Sequence, residues 1–244
     1  MYFIPKLYPM KNLLFYFLTL LSISIHGQSP IGAWKAEAND PTLGASTAVA
    51  ILSESHLVTT WYAEKDGAFL RTIGGSYTIS DNRLQLKIEF DSSQPETVGT
   101  TQEFTLSASE GGYMVSPSGL IFAQLDEGNP GALAGAWLMS ARKQNGVLAE
   151  RSTDQPRKTM KILSGTRFQW IAYNTETKQF MGTGGGHYTT IDGVYTENIE
   201  FFSRDNSRVG ASLNFTYELK EGDWHHSGLS SKGDPIYEVW SLRQ

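Results

Sequence analysis

The tripeptide Ile88-Glu89-Phe90 recurs 111 residues later as Ile199-Glu200-Phe201. The same spacing relates Gly74-Gly75 to Gly185-Gly186. Between residues 51 and 113 this register gives 21 identical pairs out of 63 without a gap, far more than unrelated segments share. A fixed register between two halves of a chain identifies a repeat before any secondary structure is assigned. The sequence is therefore a tandem duplication.

The ends of the two copies follow from shorter matches. Gly32-Ala33-Trp34 corresponds to Gly135-Ala136-Trp137, which gives the second copy eight extra residues after its tryptophan. At the other end, Ile121–Leu125 matches Ile236–Trp240, which implies four more extra residues in the second copy. We predict a signal peptide at residues 1–27, a first domain at 28–125, a turn-rich linker at 126–132 and a second domain at 133–244.

The first 27 residues have the pattern of a secretory leader. Lys6 and Lys11 precede an apolar run, Leu13–Ile25, and Gly27 offers a small residue for cleavage. Thirteen apolar residues are too few to span a bilayer comfortably. We predict a secreted or periplasmic protein without stable membrane insertion after cleavage, and an uncleaved anchor is the alternative.

Composition excludes several classes of protein. The chain has 244 residues, no cysteine and a formal charge of −5, which becomes −7 once the leader and its two lysines are removed. A disulfide scaffold is therefore impossible, and an acidic chain without a basic face is not expected to bind nucleic acid.

Within each copy, short segments alternate apolar and polar residues, and glycine, asparagine or aspartate separates them. This period of two predicts strands, and about eight of them fit each copy. Short hairpins between sequential strands favour closure into an up-and-down barrel. We predict an all-β fold of two tandem antiparallel barrels of about eight strands each. Two β-sandwich domains are the alternative, and Gly-x-Trp on the first strand favours the barrel.

The second copy also resembles a known family. The resemblance rests on these motifs: Gly135-Ala136-Trp137, Thr166–Trp170, Gly184–Tyr188, Tyr195-Thr196-Glu197, Trp224–Gly228 and Glu238-Val239-Trp240. Together they resemble the lipocalin-like secreted domains of unknown function from Bacteroidetes. The resemblance implies a lipocalin-like (calycin) barrel in the cell envelope with a binding role and no established catalytic residues. It also implies that Arg243 packs over Trp137.

The two copies differ most in their predicted interiors. If the apolar strand faces point inward, Glu197, His226 and Glu238 lie inside the second barrel. The residues aligned with them in the first copy are apolar: Leu86, Val115 and Ala123. Ionisable groups in an apolar interior are costly unless they are paired or hydrogen-bonded. They indicate either a structural network or a site that binds a small molecule.

We predict that the second barrel binds a small amphipathic or aromatic molecule. The predicted ligand-binding residues are Trp170, Tyr188, Glu197, Trp224, His226, Glu238 and Trp240. The alternative is an envelope enzyme in which Glu197 or Glu238 acts as acid or base with His226. We expect no cofactor and no metal, since these residues lack the spacing of a metal motif.

Two further segments allow weaker predictions. Gly182–Gly186 lacks the Gly-Lys-Ser/Thr ending of a phosphate loop, so it indicates a strand bend or a close backbone approach. The segment Ala141–Lys158 contains the extra residues of the second copy and five cations. We predict a loop at a barrel mouth, which either steers an anionic ligand or is simply solvated.

Overall fold

The computed structural model describes residues 30–126, 131–230 and 233–243. Its first barrel is a closed ring of eight antiparallel strands, in which the last strand returns to the first. These strands are β1 (Gly32–Asp40), β2 (Gly44–Leu52), β3 (His56–Ala63), β4 (Phe69–Ser80), β5 (Arg83–Asp91), β6 (Thr101–Ser109), β7 (Gly112–Ser116) and β8 (Leu120–Gln124). A short 3-10 helix, Pro95–Thr97, precedes β6.

The second barrel repeats this arrangement and closes where its last strand pairs with its first. Its strands are β9 (Gly135–Gln144), β10 (Val147–Glu150), β11 (Arg157–Leu163), β12 (Arg167–Asn174), β13 (Phe180–Ile191), β14 (Val194–Phe202), β15 (Ser212–Lys220), β16 (Asp223–Leu229) and β17 (Pro235–Leu242). A 3-10 helix, Asn206–Arg208, precedes β15. The predicted pair of antiparallel barrels is confirmed. The predicted leader and residues 127–130 of the predicted linker lie outside the described residues.

The tryptophans near the start of the two barrels occupy equivalent places. The indole Nε1 of Trp34 donates to the carbonyl oxygen of Pro30 at 2.9 Å, and that of Trp137 donates to Leu133 at 2.9 Å. Both rings are buried. Each indole thus ties the segment that enters a barrel to its first strand, and the predicted correspondence of the two residues is confirmed.

The repeated tripeptide contains a β-bulge. Gly185 pairs with Phe201 but Gly186 pairs with Ile199, so Glu200 is the extra residue, and the first copy has the same shift at Glu89. The two residues of such a bulge face the same side of the strand. Sequence alternation places Phe201 with the inward residues of β14. The bulge instead turns it outward, against the other barrel.

The paired glycines opposite each bulge are explained by backbone contact. A Cβ on Gly186 would lie 2.0 Å from the carbonyl oxygen of Asn198, and one on Gly75 would lie 2.0 Å from that of Lys87. Only glycine permits this approach without moving the neighbouring strand. The prediction of a close backbone approach in the Gly182–Gly186 segment is confirmed.

The residues that the bulges turn outward form the contact between the barrels. Tyr62 stacks on Phe201 with ring centroids 5.1 Å apart, and Tyr173 packs on Phe90 at 4.8 Å. These two contacts are related by the 111-residue register, so the barrels meet with approximate two-fold symmetry. One buried cluster contains side chains of both barrels: Val49, Ile51, Val58, Tyr62 and Phe90 of the first and Ala136, Leu138, Met160, Ile162, Ile171, Tyr173 and Phe201 of the second.

Each end of this contact has a partly buried glutamate. The hydroxyl of Tyr173 donates to Glu89 at 2.6 Å, and that of Tyr62 donates to Glu200 at 2.9 Å. Arg243 adds two hydrogen bonds to Glu89, at 2.7 and 2.8 Å. Burial alone raises the pKa of Glu89, but the bonds from Arg243 and Tyr173 outweigh it and hold that pKa below its usual value.

Arg243 therefore does not lie where the family resemblance implies. Its guanidinium binds the Glu89 carboxylate of the other barrel, and no stacking of Arg243 on Trp137 occurs among the described residues. The physical reason is charge: Glu89 is partly buried and needs a cation, which the neutral indole does not. The expected packing over Trp137 is wrong.

We expect Tyr173→Phe to destabilise the protein by about 1.5–3 kcal/mol, because it removes a buried hydrogen bond to a charged group. Urea unfolding followed by intrinsic fluorescence measures the loss. Tyr113→Phe is the matched control, since the Tyr113 ring lies in the first barrel, away from the contact between the barrels. Equal stability of the two variants would contradict the proposed importance of this bond.

His56 makes stability depend on pH. Burial, with Arg243 nearby, lowers the pKa of His56 to about 4, although Glu89 opposes the shift. Between pH 6.5 and 4 the unfolded chain therefore binds a proton that the folded chain does not, so stability falls as pH falls. We expect His56→Asn to flatten this part of a plot of melting temperature against pH. An unchanged slope would show that His56 is not its source.

Candidate functional site

A cavity of about 600 Å³ lies inside the first barrel. Its walls are mostly apolar, and several wall residues are only partly buried, so solvent reaches the interior. Volumes of this size are typical of sites for small molecules. The wall is formed mainly by Trp34, Leu57, Trp61, Ile73, Leu84, Leu86, Phe104, Leu106, Tyr113, Val115, Leu120 and Phe122.

Small side chains leave this space open. The strand pairings of the two barrels follow the 111-residue register, so interior positions can be compared directly. Four positions hold an aromatic ring in the second barrel and a smaller side chain in the first: Trp170 for Thr59, Tyr195 for Leu84, Trp224 for Tyr113 and His226 for Val115. The volume that these rings occupy in the second barrel is cavity in the first.

A tryptophan and an arginine in the cavity wall stack on each other. Trp61 and Arg71 are cross-strand neighbours on β3 and β4, and the guanidinium carbon lies 3.9 Å from the centre of the Trp61 ring. The corresponding residues of the second barrel are Ala172 and Gly182. This stacked pair is therefore a property of the first barrel alone.

The second barrel contains a buried ion pair instead. The ammonium of Lys161 lies 2.7 Å from the carboxylate of Glu197, and both side chains are about 6% exposed. Four aromatic rings surround the ammonium, with centroids 4.9–5.8 Å away: Tyr195, Phe215, Trp224 and Trp240. Ring faces attract a cation, and they do so more strongly where water is excluded. The pair and its rings occupy the interior.

His226 and Glu238 form a second polar contact beside this pair. His226 Nδ1 lies 3.5 Å from Oε2 of Glu238, and Arg142 Nε lies 3.8 Å from Oε1 of the same carboxylate. Burial, followed by the charge of Lys161, lowers the pKa of His226. Burial raises the pKa of Glu238, but contacts with His226, Lys161 and Arg142 outweigh it and lower that pKa. The resting pair is thus a neutral imidazole beside a carboxylate.

Five buried polar atoms around this network have no hydrogen-bond partner among the described residues. They are Tyr195 Oη, Trp224 Nε1, Trp240 Nε1, His226 Nδ1 and His226 Nε2. Buried polar groups are normally satisfied by protein or by ordered water. Their concentration in one place gives the second interior an unused capacity for polar contacts.

The sequence-predicted site residues lie together in the second barrel, where Trp170 is the cross-strand neighbour of Lys161. Glu197, Trp224, His226, Glu238 and Trp240 come together around Lys161 and are all buried. Tyr188 packs on Tyr195, one of the rings around Lys161, with ring centroids 5.5 Å apart, and its hydroxyl donates to the backbone of Ser164 at 2.6 Å. Trp170 packs edge-on against Phe202, with centroids 5.5 Å apart. Their role in binding a ligand stays a prediction.

Sequence reasoning missed Lys161. A signal was present, because Lys161 stands in the apolar run Met160–Leu163 and shares a strand face with Leu163. Its counterpart in the first copy is Ala50. A lysine at an inward strand position needs an acidic partner, and Glu197 is the group that supplies it.

The predicted counterpart of Glu238 in the first barrel is wrong. His226 pairs with Glu238, and Val115, which corresponds to His226, pairs with Leu120. Leu120 therefore takes the place assigned to Ala123, which is exposed. The hairpin between β16 and β17 is longer than the one between β7 and β8. The sequence match allowed for only part of this difference in length, so it paired Glu238 with the wrong residue of β8.

The basic segment Ala141–Lys158 is a hairpin and not the predicted loop. Residues 141–144 extend β9 and pair with β10, so backbone hydrogen bonds order its first half. Three of its cations bond within the segment: Arg151 donates to the carbonyl of Arg157 at 2.9 Å, Arg157 donates to that of Lys158 at 3.1 Å, and Lys158 donates to that of Thr153 at 2.7 Å. Steering of an anionic ligand by this hairpin stays a prediction.

No group of three or more histidine, cysteine or acidic side chains is placed to hold a metal ion within the described ranges. In the same part of the chain, no helix has the length and apolar character needed to cross a membrane.

We expect Lys161→Met to destabilise the protein by about 3–5 kcal/mol, because it leaves Glu197 buried and unpaired. The double variant Lys161→Met/Glu197→Leu is expected to recover most of the loss, since the first barrel folds with Ala50 and Leu86 at these positions. Urea unfolding midpoints measure both. A double variant as unstable as the single one would contradict this account.

Comparison with known proteins concerns the second barrel. No curated protein matches the chain. The resemblance to lipocalin-like domains of Bacteroidetes stays a prediction. Residues 132–242, which contain all nine strands of the second barrel, match the model of a family described as Domain of unknown function (DUF4488), and the second barrel is similar to that family.

Proposed function

We propose that this protein binds small, mostly apolar molecules of amphipathic or aromatic character, and that the first barrel is the principal site. The observation that carries the proposal is the cavity of about 600 Å³ with its apolar wall. Transfer of an apolar molecule from water into such a space is favourable roughly in proportion to the area buried. The partly exposed wall residues provide access without unfolding.

The second barrel is the alternative site. Its support is the group of five buried polar atoms without partners, which a polar ligand could satisfy. Against it stands the packing of four rings around Lys161, which fills the space that the first barrel leaves open. A network that fixes the second barrel explains the same residues without a ligand.

An envelope enzyme is a further alternative. Its support is the contact of His226 with Glu238, because a carboxylate beside an imidazole stabilises the protonated ring during proton transfer. Glu197 is less suited to acid or base chemistry, since its carboxylate is paired with Lys161. Binding therefore remains the favoured function.

We also propose that the protein acts outside the cytoplasm, in the periplasm or after secretion, as a lipocalin-like binding protein. The support is the sequence of the leader, with two lysines before a short apolar run and a small residue after it. The absence of cysteine is compatible with either compartment.

We expect Thr59→Trp to lower the affinity for a neutral apolar fluorophore, N-phenyl-1-naphthylamine, by about tenfold or more, because the new ring fills the cavity as Trp170 fills the second barrel. Fluorescence titration measures the affinity, and a melting curve verifies folding. Thr78→Trp is the matched control, since Thr78 is exposed on the outer face of β4.

The same titration separates the two barrels. If Thr59→Trp leaves the affinity unchanged and His226→Ala and Glu238→Gln abolish it, the binding site lies in the second barrel and not in the first. The corresponding first-barrel variants, Val115→Ala and Leu120→Gln, change the wall of the proposed cavity, so they are expected to alter the affinity if the first barrel is the site. Loss of stability in the His226 and Glu238 variants with unchanged affinity would identify a structural network.

A further inference from the structure

Arg71 is a cation in an apolar wall without an acidic partner. Its guanidinium makes no hydrogen bond or ion pair within the described part of the chain, and its contact is the face of Trp61. Stacking on a ring holds the guanidinium plane in a fixed orientation and leaves its N–H groups available at the edge. The arginine is thus oriented but not neutralised.

The acid that Arg71 influences electrostatically, Asp40, does not form an ion pair with it. Asp40 is close enough for the Arg71 charge to contribute to its lowered pKa, but the larger causes are hydrogen bonds from the backbone of Leu43 and Thr42. Its Oδ1 accepts both, at 2.9 and 2.8 Å. No Asp40 oxygen lies within 4 Å of the guanidinium, so an incoming anion meets a free cation.

The position of the pair defines two ends of the cavity. Trp61 and Arg71 lie next to the β3–β4 hairpin, at the barrel end that also carries the β7–β8 hairpin with Pro117 and Ser118. At the other end the indole of Trp34 ties the entering chain to the barrel. A ligand with one charged end can therefore place that end at Arg71 and its apolar part towards Trp34.

Comparison of the copies indicates that this pair is not needed for folding. The second barrel closes with Ala172 and Gly182 at the two positions. Its Gly182 has a φ of +149°, and a Cβ there would lie 2.5 Å from the Arg204 side chain. The first barrel alone combines an open cavity with an exposed guanidinium.

Resting on the proposed function of the first barrel, we propose that its ligands are amphipathic carboxylates, whose head group pairs with Arg71 while the tail lies in the cavity. A planar carboxylate matches the fork of guanidinium N–H groups and forms two parallel hydrogen bonds. A tail of medium length fits a cavity of about 600 Å³.

The test compares dodecanoate with dodecan-1-ol, which share a tail and differ in charge. Each displaces N-phenyl-1-naphthylamine from the full chain, followed by fluorescence. We expect dodecanoate to bind about tenfold more tightly than the alcohol, the difference that a charge-assisted hydrogen-bonded pair typically gives. In Arg71→Gln the ratio of the dodecanoate affinity to the dodecan-1-ol affinity is expected to fall below about threefold.

Two variants refine the test. Arg83→Gln is the matched control, because Arg83 is exposed on the same barrel and pairs with Glu103 at 3.3 Å. Arg83→Gln is expected to bind dodecanoate about tenfold more tightly than dodecan-1-ol, as the original protein does. Arg71→Lys is expected to keep only part of it, since an ammonium retains the charge but not the planar fork.

The outcomes separate this inference from the proposed function. If neither compound displaces the fluorophore and the fluorophore itself does not bind, the proposed function fails. If both compounds bind equally and Arg71→Gln changes nothing, the carboxylate assignment is overturned while binding in the barrel stands. Binding of dodecyl phosphate tenfold tighter than dodecanoate would overturn the assignment in favour of a phosphate head group.

Discussion

The architecture depends on a β-bulge that occurs once in each copy, opposite a pair of glycines. Each bulge turns a glutamate and a phenylalanine out of their own barrel, at Glu89-Phe90 and at Glu200-Phe201. The other barrel meets each pair with a tyrosine that packs on the ring and donates to the carboxylate. Glu89 takes its bonds from Tyr173 and Arg243 of the opposite barrel, whereas Glu200 is bonded by Tyr62 across the contact and by Arg167 and His187 of its own barrel. These cross-barrel bonds help to hold the two barrels face to face.

Such a contact limits how far the copies can diverge. Because the barrels meet with approximate two-fold symmetry, a position on this face packs against residues related to it by the same register. Several identical pairs accordingly lie there, including Tyr62 with Tyr173 and Phe69 with Phe180, whose rings stack on each other at 5.9 Å. The interiors do not touch and carry no such restriction.

The two interiors illustrate this freedom. In the second barrel, aromatic rings and the Lys161–Glu197 pair fill the space. Lys161 and Glu197 neutralise each other's charge, and the ring of Trp224 lies close to the Lys161 ammonium. In the first barrel, smaller side chains leave a cavity, and the exposed guanidinium of Arg71 stacks on the ring of Trp61 in the cavity wall. This contrast between a filled interior and an open one on the same scaffold is the basis of the proposal that the first barrel is the principal binding site.

The sequence by itself determined the duplication, the all-β class and the two barrels, because strand periodicity and the 111-residue register depend only on residue order. It also identified Glu197, His226 and Glu238 as the unusual residues of the second copy. Only the tertiary structure decided that Lys161 neutralises Glu197, that Leu120 replaces Ala123 as the counterpart of Glu238, and that Arg243 binds Glu89. These depend on where bulges, hairpin lengths and the opposite barrel place side chains distant in sequence. The cavity also belongs to the tertiary structure, since empty volume depends on how all the wall residues pack together.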